Sequence, residues 1–78
     1  MNQKKIITVF VVLLEEGTDT MRPTEAVNLG NGLFKLLPTD DYDPEDEIWE
    51  FLPGSIVKIK DFKSMRGDTI SVAYEKAG

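Results

Sequence analysis

The sequence predicts an all-β domain, a small barrel of five to six mostly antiparallel strands spanning residues 1–78, with its ordered core at about residues 5–75. Short apolar runs recur between turn signals at intervals of roughly 8–12 residues. Asn31-Gly32 lies between two such runs, and no window has a sustained helical period of apolar residues. A barrel is favoured over a two-sheet sandwich because closing the sheet removes its exposed edges.

The length and composition exclude several classes of protein. A chain of 78 residues holds one domain and buries only a small core, so a large active site is not expected. The chain has no cysteine, which excludes disulfides, thiol catalysis and thiolate metal sites. It also has no histidine, the commonest general base. We therefore expect no cofactor.

The first predicted strand covers residues 6–14, whose sequence IITVFVVLL is apolar on both faces. Such a strand has to be covered on both sides or lie in a closed sheet. Lys4 and Lys5 before it imitate the start of a secretory signal, but Glu15 and Glu16 follow at once and no small-residue cleavage site is present. The run is also far shorter than the ~20 residues of a membrane helix. We therefore predict a buried strand and a cytoplasmic protein.

The second and third strands form the clearest predicted hairpin. Residues 22–29 read as a weaker strand, in which Pro23 has no N–H for a ladder and belongs at an edge or at the first position. Asn31-Gly32 favours a type I′ turn into residues 33–36, and Pro38 ends that strand.

An acidic stretch follows the hairpin. Residues 40–50 carry seven carboxylates and no lysine or arginine, so their net charge is −7. The other residues have a net charge of +2. One short helical turn is expected there, with Asp43 as N-cap and Pro44 at the first helical position. Trp49 and Phe51 alternate with Glu50 as in a half-buried strand, and Pro53-Gly54 predicts a tight turn.

The last predicted hairpin joins residues 55–63 to residues 69–75 through a loop in which Gly67 is the left-handed residue. Lysines alternate with Val57 and Ile59 in the first of these strands. The expected core consists of the inward residues of every strand: Val9, Val11, Leu13, Val27, Leu29, Phe34, Leu36, Trp49, Phe51, Val57, Ile59, Ile70, Val72 and Tyr74.

Several motifs together resemble a known class of sequences. They are LLEEGT at residues 13–18, RPxEA at 22–26, GLFxL at 32–36 and WEFxPGSxV at 49–57. This pattern resembles a class of short uncharacterised bacterial proteins built as SH3-like barrels. The resemblance implies an SH3-like fold and a bacterial source. It implies no particular activity, because SH3-like barrels include peptide-binding, nucleic-acid-binding and structural modules.

Two motifs have ordinary structural interpretations. Arg66-Gly67-Asp68 is the tripeptide that integrins recognise, but glycine and aspartate are common turn residues, so we interpret it as a turn. The acidic stretch supplies oxygen ligands suited to Ca²⁺, yet it does not match the calcium-loop pattern, because the required glycine falls on Asp46. We interpret it as a solvated loop, with a weak cation site as the alternative.

Two surfaces are candidates for binding. Arg22 and Glu25 flank the predicted strand edge at Pro23, and with Trp49 as an aromatic anchor they are a candidate partner-binding site, although a core position for Trp49 is the simpler interpretation. The second candidate is a basic face that suits single-stranded nucleic acid, although the pI of about 4.5 argues against that ligand. Its residues are Lys58, Lys60, Phe62, Lys63 and Arg66.

Catalysis is not expected, because hydroxyls such as Ser55 and Ser64 have no recognisable base at motif spacing. The sequence therefore predicts a small non-enzymatic protein-interaction or accessory module with an unidentified protein partner. The alternative is a nucleic-acid-binding barrel that uses the basic face.

Overall fold

The computed structural model describes residues 5–14 and 20–77 and is all-β. In that part of the chain no residue is helical, which confirms the predicted fold class. The six strands are β1 (Ile6–Leu14), β2 (Met21–Gly30), β3 (Leu33–Leu36), β4 (Ile48–Trp49), β5 (Ile56–Lys63) and β6 (Thr69–Lys76). The prediction therefore finds every strand, although β4 is shorter than expected and ends before Phe51.

Five strands close into a ring. β1 pairs with β2, β2 with β3, β3 with β5, and β5 with β6, all antiparallel. Four antiparallel junctions leave the fifth strand running in the same direction as the first, so the junction that closes the ring has to be parallel. β6 meets β1 in this way through one residue pair, Phe10 with Val72. β4 pairs with the last two residues of β1.

The hairpin turns form where local backbone chemistry predicts them. Asn31 and Gly32 have φ angles of 57° and 77°, the two positive values of a type I′ turn. Gly67 has φ 91° in the β5–β6 turn, as predicted. Both predicted hairpins form antiparallel ladders in one closed sheet.

The acidic stretch contains a single hydrogen-bonded turn where the helical turn is expected, but no residue of that turn is helical. The Asp43 side-chain Oδ1 accepts a 2.9 Å hydrogen bond from the Glu45 N–H. The Asp43 carbonyl accepts bonds of 2.9 Å from the N–H groups of Asp46 and Glu47. Asp43 thus caps the turn with both its side chain and its backbone.

The core lies inside the ring and differs from the predicted core at two strands. On β2 the buried side chains are Thr24 and Ala26, whereas Leu29 is exposed and Val27 is half-buried. The ladder explains this correction, because Thr24 lies opposite the fully buried Val9. The buried apolar residues are Val9, Val11, Leu13, Ala26, Phe34, Leu36, Trp49, Val57, Val72 and Ala73, with Phe51 and Ile59 packed partly buried against them.

The prediction for β6 is confirmed for Val72, which is buried, but it is wrong for Tyr74 and misses Ala73. Ala73 lies opposite Ile59 and is buried in the core, whereas Val72 lies opposite Lys60. Cross-strand partners share a face of the sheet, so Val72 shares the face of Lys60. Tyr74 is 44% exposed and falls in an irregularity of the ladder between Lys58 and Ile59. A β-bulge of this kind shifts the alternation of one strand against the other.

β1 is a strand with two apolar faces, as its sequence predicts. Val9, Val11 and Leu13 are buried in the core, while Phe10 and Val12 on the other face are half-buried and Leu14 is exposed. No helix in residues 5–14 and 20–77 is long and apolar enough to cross a membrane. Glu15 and Glu16 lie outside the described residues.

Candidate functional site

The structure places Trp49 in the core. Its side chain is 2% exposed, and the ring of Tyr42 packs edge-on against it with centroids 4.9 Å apart. Its indole Nε1 donates a 3.0 Å hydrogen bond to Oε1 of Glu47, and the Arg22 guanidinium donates to Oε2 of the same carboxylate. Trp49 and Arg22 therefore hold the acidic stretch against the barrel through Glu47.

The predicted partner-binding residues do not share a surface. Arg22 lies opposite the buried Val11, and Glu25 lies opposite the exposed Thr8. Residues three apart on a strand point to opposite faces, so Arg22 and Glu25 diverge. Glu25 lines an open cavity of about 370 Å³ on the outside of the barrel, together with Thr39 and Asp40. Among the described residues, Arg22, Glu25 and Trp49 therefore do not form one binding site.

Part of the predicted basic face is brought together by the β5–β6 hairpin. Lys58, Lys60 and Phe62 alternate along β5 and so share a face, whereas Lys63 is the last residue of β5, outside this alternation, and Arg66 is in the turn. The Lys60 ammonium lies 5.5 Å from the centroid of the Tyr74 ring, within the range of a cation–π contact. This contact orients Lys60 along the face that also carries Phe62.

The far half of this hairpin has few neighbours. β3 begins at Leu33, directly after the Asn31-Gly32 turn, and its ladder with β5 ends at Lys58. The ladder between β1 and β6 has one residue pair, Phe10 with Val72. Within the described residues, the strand segments 61–63 and 69–71 therefore pair only with each other. The hairpin continues beyond the barrel as a two-stranded ribbon.

A groove lies beside this ribbon. One cavity of about 320 Å³ and a second of about 300 Å³ share Met21 and Phe62, so the two adjoin. We call their combined lining the hairpin groove. Its residues are Val12, Met21, Glu50, Lys60, Phe62, Lys63, Ser64, Met65, Val72, Ala73 and Tyr74.

The hairpin groove is apolar with a charged rim. Phe62 is 45% exposed, and the Met65 side chain is fully exposed at the hairpin turn. Lys60 lines the first cavity and Lys63 the second, while Glu50 is the one carboxylate in the lining. Neither lysine has an ion-pair partner among residues 5–14 and 20–77. The groove therefore offers apolar contacts next to two unpaired positive charges.

Sequence reasoning finds Lys60, Phe62 and Lys63 but misses Met21, Met65 and Tyr74. Tyr74 is expected in the core because its strand is apolar at alternate positions. A signal for the groove is nevertheless present, since Ala73 is also apolar and lies between two apolar neighbours, Val72 and Tyr74. A strand with apolar residues on both faces has a second surface to cover.

The other predicted features have structural roles. The Ser64 N–H donates to the Asp68 carbonyl at 2.8 Å, which closes the turn that contains Arg66-Gly67-Asp68. In the part of the chain that the structure describes, no group of three or more acidic side chains is placed to hold a metal ion.

Comparison with known proteins gives no match to a protein-family model, to a curated protein or to a solved structure.

Proposed function

We propose that this protein is a small non-enzymatic protein-interaction module of the bacterial cytoplasm, which binds its partner through the hairpin groove. The observation that carries the proposal is the exposure of Phe62, Met65 and Tyr74 around two adjoining cavities. A chain of this size gains stability from every apolar side chain that it buries. Exposing three large ones beside a cavity is typical of an interaction surface.

The chemistry of the groove suits a protein ligand. Methionine side chains adapt their shape to irregular apolar surfaces, and Met21 and Met65 lie on the groove. Phe62 and Tyr74 supply rigid aromatic area of the kind that dominates binding energy at interfaces. The groove thus combines adaptable and rigid apolar contacts around a polar rim.

A displayed peptide library selected against the full chain tests this function. Peptides that bind the wild type are measured against Phe62→Thr and Met65→Ser, with Leu52→Ser as the matched control. Leu52 is as exposed as a groove residue but lies in a loop outside the groove. We expect the groove variants to weaken binding by about tenfold or more and the control to leave it unchanged. Equal binding by all variants would refute the proposed site.

The second candidate function is binding of single-stranded nucleic acid. It is favoured by one observation, namely that Lys60 and Phe62 share a face with the exposed Tyr74 ring beside them. Glu50 in the same groove and the net charge of −7 in residues 40–50 oppose it. Fluorescence anisotropy with a labelled oligonucleotide at low salt decides between the two. Salt-sensitive binding that Lys58→Glu and Lys60→Glu abolish would favour nucleic acid.

A further inference from the structure

We propose that the ligand of the hairpin groove is a short acidic segment of a partner protein, which places two apolar side chains in the two cavities and a carboxylate beside each lysine. This inference rests on the proposed function and specifies its ligand. Each cavity pairs an apolar lining with one lysine, Lys60 in the first and Lys63 in the second.

Both lysines are available for a ligand. Neither makes an ion pair with a described residue, and Arg66 in the adjoining turn adds a third positive charge without one. The contact with the Tyr74 ring holds the Lys60 ammonium at the groove, so less side-chain freedom is lost when a carboxylate binds. Asp61 and Asp68 leave residues 60–68 with a net charge of +1, so the rim favours acidic ligands over basic ones.

The size of the groove favours a short segment over a second copy of this chain. Stable dimers bury about 800 Å² per partner. The groove has eleven lining residues, and five of them are half-buried or buried before any ligand arrives: Val12, Met21, Ser64, Val72 and Ala73. Two adjoining cavities of about 300 Å³ suit inserted side chains rather than a flat protein surface.

Glu50 makes the groove favour an acidic peptide over a polyanion such as nucleic acid. It lines the same cavity as Lys60, and its backbone N–H is held at 2.9 Å by the Val12 carbonyl. A carboxylate on a flexible peptide side chain can approach Lys60 while it avoids Glu50. A continuous phosphate chain along the groove has to pass both charges. The groove therefore favours discrete carboxylates.

The test uses fluorescein-labelled synthetic peptides and anisotropy with the full chain. The first peptide carries one phenylalanine and one leucine, each flanked by glutamates. In the second peptide lysines replace the glutamates, and in the third serines replace the two apolar residues. We expect the first peptide to bind and the other two to bind at least about tenfold more weakly.

Two sets of variants test whether Lys60 and Lys63 bind the acidic peptide. The double variant Lys60→Gln, Lys63→Gln should weaken the acidic peptide by about fivefold, and the effect should shrink as salt is raised. The double variant Lys60→Glu, Lys63→Glu should weaken it further. Lys35→Gln, which changes an exposed lysine on β3 outside the groove, is the control and should have no effect. Both lysines of the groove are on the exposed ribbon, so these variants are expected to fold, and thermal unfolding checks this.

The outcomes are distinguishable. Equal binding of the glutamate and lysine peptides, or an acidic peptide that binds the Lys→Glu variant as well as the wild type, would overturn the inference. If library peptides depend on Met65 but lack acidic residues, the proposed function stands and the inference fails. If the protein binds an oligonucleotide more tightly than the acidic peptide, the inference is overturned in favour of nucleic acid. Sedimentation tests for a dimer. If the protein is a dimer that Met65→Ser dissociates, the groove binds a second copy of the chain and the inference is overturned.

Discussion

Trp49 and Glu47 are joined by a 3.0 Å hydrogen bond from the indole N–H to a carboxylate oxygen, although only one residue separates them along the chain. The other oxygen of Glu47 accepts from Arg22, which is on β2. One carboxylate thus connects Trp49, which is in the core, to β2. This arrangement fixes the end of the acidic stretch.

We expect Glu47→Ala to destabilise the protein by about 1–3 kcal/mol, because it leaves the buried indole N–H without its acceptor. Urea denaturation followed by tryptophan fluorescence measures this loss. Glu45→Ala in the same turn is the control, since that side chain is exposed and its position contributes only its N–H to the cap. Equal effects of the two changes would show that the Glu47 contacts do not stabilise the fold.

We expect Leu36→Ala to cost about 2–5 kcal/mol, because Leu36 is fully buried and its removal leaves a cavity. Leu29→Ala should cost less than about 1 kcal/mol, since Leu29 is 39% exposed. The comparison of denaturation midpoints checks the placement of the core on β2 and β3. A larger loss for the Leu29 variant would restore the core that the sequence alone predicts.

Gly32→Ala should destabilise the β2–β3 hairpin by about 1–2 kcal/mol, because its φ of 77° is unfavourable for any residue with a Cβ. No atom lies within 4 Å of the position that the new Cβ would occupy, so the cost is conformational rather than steric. Asn31→Gly at the neighbouring turn position is the control and should change stability far less. Thermal unfolding of both variants gives the comparison.

Amide hydrogen exchange should be uneven along the last hairpin. We expect the ribbon amides of residues 61–63 and 69–71 to exchange faster than those of the β1–β2 ladder, because the ribbon pairs only with itself among the described residues. Native-state exchange followed by NMR measures this difference directly. Equal protection in the two regions would mean that the ribbon is covered on a further side.

The parts of the fold that depend on neighbouring residues could be predicted from the sequence. Asn31-Gly32 fixes its turn through backbone conformation, and Asp43 caps its turn through a side-chain oxygen two residues away from the donor. These features need no information about the rest of the molecule. The strands themselves follow from short apolar runs between such turns.

The parts that depend on register could not be predicted in the same way. Val27 and Leu29 are larger and more apolar than Thr24 and Ala26, yet pairing with β1 turns the smaller pair inward. The irregularity near Tyr74 has the same effect on β6. The hairpin groove depends on the second irregularity, because its lining includes Val72 and Tyr74, which the alternation of β6 alone assigns to the core.

The single residue pair that closes the ring sets the stagger of the barrel. A row of cross-strand neighbours that starts at Ile6 passes through Val27, Lys35 and Ile56 and reaches Ala77. Val72, beside Phe10, lies five residues before Ala77, and Ile6 lies four residues before Phe10. One of those five residues is the extra residue of the β6 bulge, so one circuit of the barrel climbs by eight residues along β1, a large shear for five strands.

A large shear tilts the strands steeply, and side chains then fill the interior of a small barrel. Ligands of this protein therefore have to bind to its outer wall. Substitutions on inward side chains and on outward side chains should accordingly separate into two phenotypes, loss of folding and loss of binding.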